Sequence, residues 1–397
     1  MSFYADLNVA VPPELSGDFL AKLHYVCEGL DGFDLAPDRR DRVRFRLRPN
    51  AAVSPEAVAA RMAEVAQRMC GTYRPSKPKV LVARRDRPVP FGADPHPLLE
   101  TSGQLKRYGA GRYGLGPLPL KLLEFFDRRF KRLTDVHAAS EYRFPSLVGA
   151  DVMDRCRYLR SFPHSLSLVS HLREDLEAIQ RFARSAAWTS DHLEVGEQTL
   201  APVQCLLSPT VCFHHYAWLE NTAACPRHTI TALGKCFRYE SGNLVGLERL
   251  WDFTMREFVY VGPRDYVLEQ RQRSIDHAAV MLDEWGLNYE IVSASDPFFI
   301  EDYSTQVLIQ KAFDLKFEVA VPLAYKAKTL AVGSFNYHQD FFGRSLKIMQ
   351  AGDEPVHTGC VGFGLERLVL AFLSQYGIDP AAWPAAVRDG VGSCPMS

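Results

Sequence analysis

Over the first 84 positions, short apolar runs alternate with stretches whose apolar residues recur at three and four: FYADLNVAV, LSGDFLAKLHYVCEGL, VRFRLRP, SPEAVAARMAEVAQRMC and KVLVARR. Period two suits a strand and period 3.6 a helix. The order therefore predicts strand, helix, strand, helix, strand, a small α+β domain over residues 1–84. Ser54 followed by Pro55 marks the second helix start, because serine can accept from free first-turn amides and proline has no amide to leave unpaired. RRDRPVPFGADPHP is dense in proline and charge and has no apolar period, so residues 85–98 read as a linker. One continuous domain follows over 99–397. Within it LKLLEFFDRRFKRL and SLVSHLREDLEAIQRFAR read as amphipathic helices, the second spanning 166–184. From about 199, strands take over: TLAPVQCLLSP, GKCFRYE, FTMREFVYVG, YEIVSA, KFEVAVPL and TLAVGSFNY.

Two of these strands, GKCFRYE and WDFTMREFVYVG, are joined by SGNLVGLERL, a glycine-bearing loop suited to a hairpin. Alternation puts Cys236, Arg238 and Glu240 on one face, with Phe253, Met255 and Glu257 sharing a face of the return strand. Two acids and an arginine on a largely apolar sheet are costly unless they meet a ligand, a metal or one another. Near the C-terminus, GCVGFGLERLVLAFL (359–373) ends a strand in glycines and opens a helix carrying Arg367 in its first turns. An arginine there is well placed for a phosphate.

The 46 Lys and Arg balance 47 Asp and Glu to a formal charge of −1, which excludes the electrostatic footprint of a non-specific nucleic-acid binder. Local basic clusters remain at 85–90 and 125–133, the latter readable as one solvated helix face. Nine unevenly spaced cysteines suit reduced thiols better than a disulfide framework. The longest apolar runs, such as 368–373, fall far short of the roughly 20 residues of a spanning helix. The reading is a cytoplasmic protein without membrane association.

FRYE, with Arg249 and Phe253 in R-x-x-x-F spacing, resembles motif 2 (236–262) of the class II aminoacyl-tRNA synthetase catalytic domain. GFGLER resembles motif 3 (359–373), and EYRFPSLVG, with Pro145, resembles motif 1 near 141–150. The resemblance implies an α+β fold, an antiparallel sheet flanked by helices, and dimerisation through motif 1. It also implies ATP-dependent activation of an amino acid. Carried over residue by residue, Arg238 meets the α-phosphate, Glu240 the adenine amino group, Phe253 the adenine ring, Arg249 the phosphate tail and Arg367 the γ-phosphate. Glu318 falls to Mg²⁺ or to ordering the site, and Ser334 and Asn336 lie near the substrate. Ala331 stands where seryl enzymes carry glutamate, which leaves the Mg²⁺ ligands open.

Within the class the seryl branch is the nearest, through DLKFEVAVP and TLAVGSFNYHQDFFGRS. PTVCFHHY has Thr-Val-Cys where ordinary seryl enzymes carry Thr-x-Glu, and so resembles the zinc-dependent relatives: archaeal-type seryl-tRNA synthetases and amino acid:[carrier protein] ligases. That resemblance makes Cys212, Glu257 and Cys360 zinc ligands, leaving a fourth position for the substrate amine. His214 and His215 could line the same pocket, and Cys225, His228 and Cys236 form a rival set without a fourth ligand. Sustained heptads for a tRNA-reading hairpin are absent. SFNYHQDFFG, DPFF (296–299) and CVGFGLERL resemble the carrier-protein ligases most, which implies transfer of a small amino acid to the phosphopantetheine thiol of a carrier protein, with tRNA disfavoured. The 166–184 helix lies where such ligases dock the carrier, with Arg173, Arg181 and Arg184 available to an acidic partner. Two alternatives remain, a zinc-dependent seryl-type tRNA synthetase and a non-catalytic paralogue. The role of residues 1–84, the carrier and the amino acid itself stay open.

Overall fold

The computed structural model describes residues 2–392 except 74, 76, 197, 297–302, 304–306, 308–309 and 312, so Pro297–Phe299 of DPFF lie outside the described residues. At the N-terminus β1 (Ser2–Asp6), α1 (Ser16–Leu23), β2 (Leu30–Ala36), β3 (Arg39–Leu47) and α2 (Pro55–Cys70) follow in order. The strands form an antiparallel sheet ordered β1-β3-β2. Alternation sets its faces. Ala5, Val43 and Phe45 pack with Phe19, Met62 and Met69 of the helices. Arg42, Arg44 and Arg46 point outward, within ion-pair distance of Asp6, Asp34 and Asp31. Ser54 caps α2 by accepting from Ala57 N at 3.3 Å.

Two local expectations change. LDGFDLA shows no strand signal because aspartate and glycine interrupt its apolar period, yet pairing with β3 across a short turn makes it β2. KVLVARR, expected as the unit's last strand, becomes β4 (Val80–Arg84) at the edge of the large sheet. The stretch after it is tied to the body of the protein: Arg87 donates to Asp283 Oδ1 at 2.7 Å, and the Phe91 amide donates to Gln375 O at 3.0 Å.

The rest of the chain builds α3 (Pro117–Lys131), β5 (Ser140–Tyr142), α4 (Cys212–Trp218), β6 (His228–Phe237) and β7 (Asp252–Gly262). It continues with α5 (Arg264–Glu284), β8 (Tyr289–Ser293), β9 (Lys316–Leu323), β10 (Lys328–Gln339), β11 (His357–Gly364) and α6 (Leu365–Tyr376). Eight strands pair in the order β4-β8-β9-β10-β11-β7-β6-β5. All pairings are antiparallel except β5 beside β6. One face is closed by α3, α5 and α6 over a core that includes Phe126, Phe258, Trp285, Phe335 and Phe363. Phe130 and Phe363 stack there with ring centroids 3.7 Å apart.

The 166–184 helix is a correction. Leu168–Val169 pairs with Cys205–Leu207 in a small separate sheet, and the helix runs only over Leu176–Ser185. Asp175 stops it from extending back, because its carboxylate accepts from Ala178 N at 2.8 Å and defines the cap. Arg173 therefore lies ahead of the helix. Among the described residues no helix is long and apolar enough to cross a membrane.

On the closed face Arg256, 1% exposed, donates to Asp127 from Nε and Nη2 at 2.7 and 2.9 Å and to Glu141 at 3.3 Å. One guanidinium thus joins β7 to α3 and the β5 segment. Arg256→Ala leaves Asp127 without its bidentate partner, and chemical denaturation is expected to show a loss of about 3 kcal/mol.

Candidate active site

Register places the chemistry on the face opposite the aromatic core. Glu257 lies across from Ala232 on β6 and Gly362 on β11, and Val259 lies across from Cys360. On β10, Asn336 pairs with Cys360 and with Lys316, and Ser334 pairs with Gly362 and with Glu318. Opposed residues in a ladder share a face, so Cys360, Glu257, Ser334, Asn336, Lys316 and Glu318 form one continuous surface. Gly362 keeps it passable, since a Cβ there would lie 2.8 Å from Met255 Sδ.

At one end Cys212, Glu257 and Cys360 are all buried, and their ligand atoms lie within 4.8 Å of one another. Cys212 comes from the first turn of α4, whose Val211 and Cys212 amides donate to the Glu257 carboxylate at 3.0 and 2.9 Å, and the Thr210 hydroxyl donates to it as well. Burial, then Cys360, raises Glu257 to about 7. The hydrogen bond with Cys360 and burial hold the Cys212 thiol well above its ordinary value, and the same bond lowers Cys360. Three acidic groups crowded out of water favour a bound cation, and two thiols with a carboxylate form a zinc-type donor set. His338 Nε2 sits 3.7 Å from Cys360 Sγ, and Asn336 Nδ2 donates to the same sulfur at 3.5 Å and to Ser334 Oγ at 3.2 Å.

At the other end three guanidiniums gather. The hairpin strand stops at Phe237, so Arg238 and Glu240 lie just beyond it rather than on a continuing strand face. Glu240 instead enters the one-turn helix Ser241–Asn243 as its cap residue. Both still reach the cleft. Arg238 lies over the Phe253 ring at 5.4 Å and donates to Pro209 O at 3.0 Å, while Glu240 pairs with Arg249. Arg367, third residue of α6, donates to Glu248 O at 2.7 Å and to Ala331 O at 3.3 Å. Burial, followed by the charge of Arg249, pulls Arg367 down to about 10. Cations crowded in this way favour a polyanion.

Glu318 lies between the two ends, its carboxylate 2.8 Å from Lys316 Nζ. Lys316 also pairs with Asp296 at 2.6 Å, and these two acids raise its pKa against the opposing effect of burial. His214 and His215 turn away from the buried trio: His214 meets Leu147 O at 3.0 Å, and His215 meets His228 at 2.9 Å. Among the described residues no second group of three His, Cys, Asp or Glu comes close enough to hold a metal, so Cys225, His228 and Cys236 do not form one. Sequence reasoning missed Thr210, Lys316 and His338 as site residues. Alternation from Glu318 and from Ser334 and Asn336 would have flagged the last two, and Thr210 is the threonine of the Thr-Val-Cys in PTVCFHHY.

Residues 200–376 match the family described as tRNA synthetase class II core domain (G, H, P, S and T). The chain is 38% identical over 256 residues to amino acid–[acyl-carrier-protein] ligase 2 of Bradyrhizobium diazoefficiens, covering 63% of this chain and 74% of that protein. It is 28% identical over 326 residues to a type-2 serine–tRNA ligase of Methanococcus aeolicus, covering 79% of this chain and 62% of that one. M. kandleri SerRS, solved in complex with A. aeolicus tRNASec, superposes with a TM-score of 0.71 at 20% identity, over 100% of this chain and 79% of its own.

The buried trio yields a direct expectation. A divalent ion must displace the protons that Glu257 and Cys212 retain below neutrality, so affinity falls as pH drops from about 8 to about 6. Equilibrium dialysis across that range should show the decline, and Cys212→Ala or Cys360→Ala should bind far less metal at every pH.

Proposed function

The chain belongs to the amino acid–[acyl-carrier-protein] ligase family, and from that we propose that it activates a small amino acid with ATP and passes it to a carrier protein's phosphopantetheine thiol. The observation that carries the reading is the buried Cys212, Glu257 and Cys360 trio, with Ser334 and Asn336 beside it on the sheet face, close to a cluster of Arg238, Arg249 and Arg367. A substrate spanning that face needs an amine at one end and a polyphosphate at the other, and a carboxylate to join them.

The chemistry follows from where charge builds. The amino-acid carboxylate oxygen attacks the α-phosphorus of ATP, the bond to the bridging oxygen breaks, and pyrophosphate leaves. Arg238 stabilises the charge that grows on the α-phosphate, and Arg367 holds the γ-phosphate. Nucleotide exchanges the Glu240–Arg249 ion pair for contacts of Glu240 with the adenine amino group and of Arg249 with the phosphate tail. Phe253 stacks on the adenine. Mg²⁺ would accompany ATP, and Glu318 on β9 would either hold it or order the site through its pair with Lys316. Zinc held by Cys212, Glu257 and Cys360 supplies a Lewis-acid position suited to an unprotonated amine. Ser334 and Asn336 line the path of the substrate carboxylate. The carrier thiolate then attacks the carbonyl carbon, a thioester forms, and AMP departs.

For the carrier, the helix Leu176–Ser185 offers the exposed side chains of Leu176 and Ile179 beside Arg181 and Arg184, a face suited to an acidic partner with an apolar contact. Motif 1, near 141–150, is the proposed homodimer contact. The described cysteines are all free thiols, which fits a cytoplasmic site of action.

Amino-acid-dependent pyrophosphate exchange across a panel of small amino acids tests the first half-reaction, and it should fall roughly 100- to 1,000-fold in Arg238→Ala. Transfer to a phosphopantetheinylated carrier, read as thioester by mass spectrometry, tests the second. Charging of tRNA in place of the carrier would overturn the acceptor and favour a seryl-type synthetase.

A further inference from the structure

The N-terminal unit meets the site at its nucleotide end. The end of α1 and the residues after it lie against the Ser241–Asn243 turn, which follows Glu240 directly. Asn243 Nδ2 donates to Ala21 O at 3.1 Å, and a Cβ on Gly242 would collide with the His24 imidazole. Tyr25 meets His164 edge-on, with ring centroids 5.1 Å apart. Lys22, 3% exposed, is sealed in this contact with Nζ 3.4 Å from His164 Nε2. Burial lowers Lys22 to about 8, and the charges of Glu240 and Arg249 act on it in opposite senses.

The same helix grips a second border of the site. Tyr303 and Val307 sit in the hydrophobic core of the N-terminal unit, and the Tyr303 hydroxyl donates to Asp18 Oδ2 at 2.7 Å. Asp18 lies one turn before Lys22 on α1. In sequence Tyr303 follows shortly after Asp296, the carboxylate that holds Lys316 beside Glu318. One helix therefore touches both the turn after Glu240 and Tyr303.

We propose that the N-terminal unit is a clamp on the nucleotide end of the site, in which the buried Lys22 and the Ala21 carbonyl at the end of α1 hold the Glu240 turn ready for ATP, while His24 only fills the space beside Gly242. The inference rests on the reading of Glu240 and Arg249 as ATP contacts. The turn is short and exposed at Gly242, so a docked surface narrows the conformations from which ATP must select, and affinity rises by the fraction of chains already in the competent one. Coupling is reciprocal: whatever the clamp contributes to ATP binding, ATP returns to docking of the clamp. The unit contributes no ligand to the buried trio, so the effect belongs to the nucleotide and not to the amino acid.

Gly242 makes the clamp separable. Its φ lies outside the left-handed region, so an alanine meets His24 rather than backbone strain. The test is ATP affinity of the full-length, metal-loaded protein by titration calorimetry, alongside melting temperature, metal content and the KM for amino acid in pyrophosphate exchange. Gly242→Ala should weaken ATP about tenfold while metal content, amino-acid KM and the melting temperature without ATP stay near wild type. Adding His24→Ala, which makes room for the new methyl, should recover most of the loss, and His24→Ala alone should do less harm than Gly242→Ala. Saturating ATP should slow amide exchange over residues 16–25. Unchanged ATP affinity in Gly242→Ala, or a loss that His24→Ala fails to relieve, overturns the clamp and leaves the proposed reaction standing. Wild-type protein that does not bind ATP overturns both.

Discussion

Three guanidiniums, those of Arg238, Arg249 and Arg367, share one cleft in which Glu240 pairs with Arg249, and burial with the charge of Arg249 pulls Arg367 down. Holding cations together against their own field needs a rigid frame. The sheet provides it. Arg367 is fixed to the carbonyls of Glu248 and Ala331, Arg238 to the carbonyl of Pro209, and Arg256 on the far face locks β7 to α3. Stability and binding thus draw on the same strands, one face spent on the core and the other on charge.

The opposite sign gathers at the other end of that face. Cys212, Glu257 and Cys360 are crowded acids; Cys212 and Glu257 are held toward their protonated forms, while the hydrogen bond from Cys212 favours the Cys360 thiolate. The two clusters are complementary in what they lack: the first needs a polyanion, the second a cation. In the proposed reaction the amine of an amino acid lies at the second and its carboxylate reaches a nucleotide in the first. Strand register fixes Glu257, Cys360, Ser334 and Asn336 relative to one another, and a Cβ at position 362 would press on Met255 Sδ in the middle of that surface.

Much of this was legible in the chain itself, for a physical reason. Alternation put Glu257 on a face shared with Phe253 and Met255, the resemblance to class II synthetases singled out Cys360, Ser334 and Asn336, and GFGLER announced a strand-to-helix turn that does carry Arg367. What escaped was decided by tertiary contact. Strand β2 exists through pairing with β3, and the helix expected over 166–184 is trimmed by the Asp175 cap. Arg238 and Glu240 left the strand on which alternation placed them, because the ladder ends at Phe237, and they reach the cleft by another route. The positions of Thr210 and Lys316 could be read locally, but their partners Glu257 and Asp296 are distant in sequence and came only with the fold. The docking of α1 beside Glu240 is likewise invisible in composition or period.

The central claim is that one sheet face holds both ends of an aminoacyl-adenylate. A crystal structure with a non-hydrolysable glycyl-sulfamoyl adenosine tests it most directly. The account predicts the analogue's amine against the ion held by Cys212, Glu257 and Cys360, its sulfamoyl group against Arg238, and its adenine between Phe253 and Glu240. An analogue whose amine points away from the trio, or whose adenine binds elsewhere on the sheet, would contradict it.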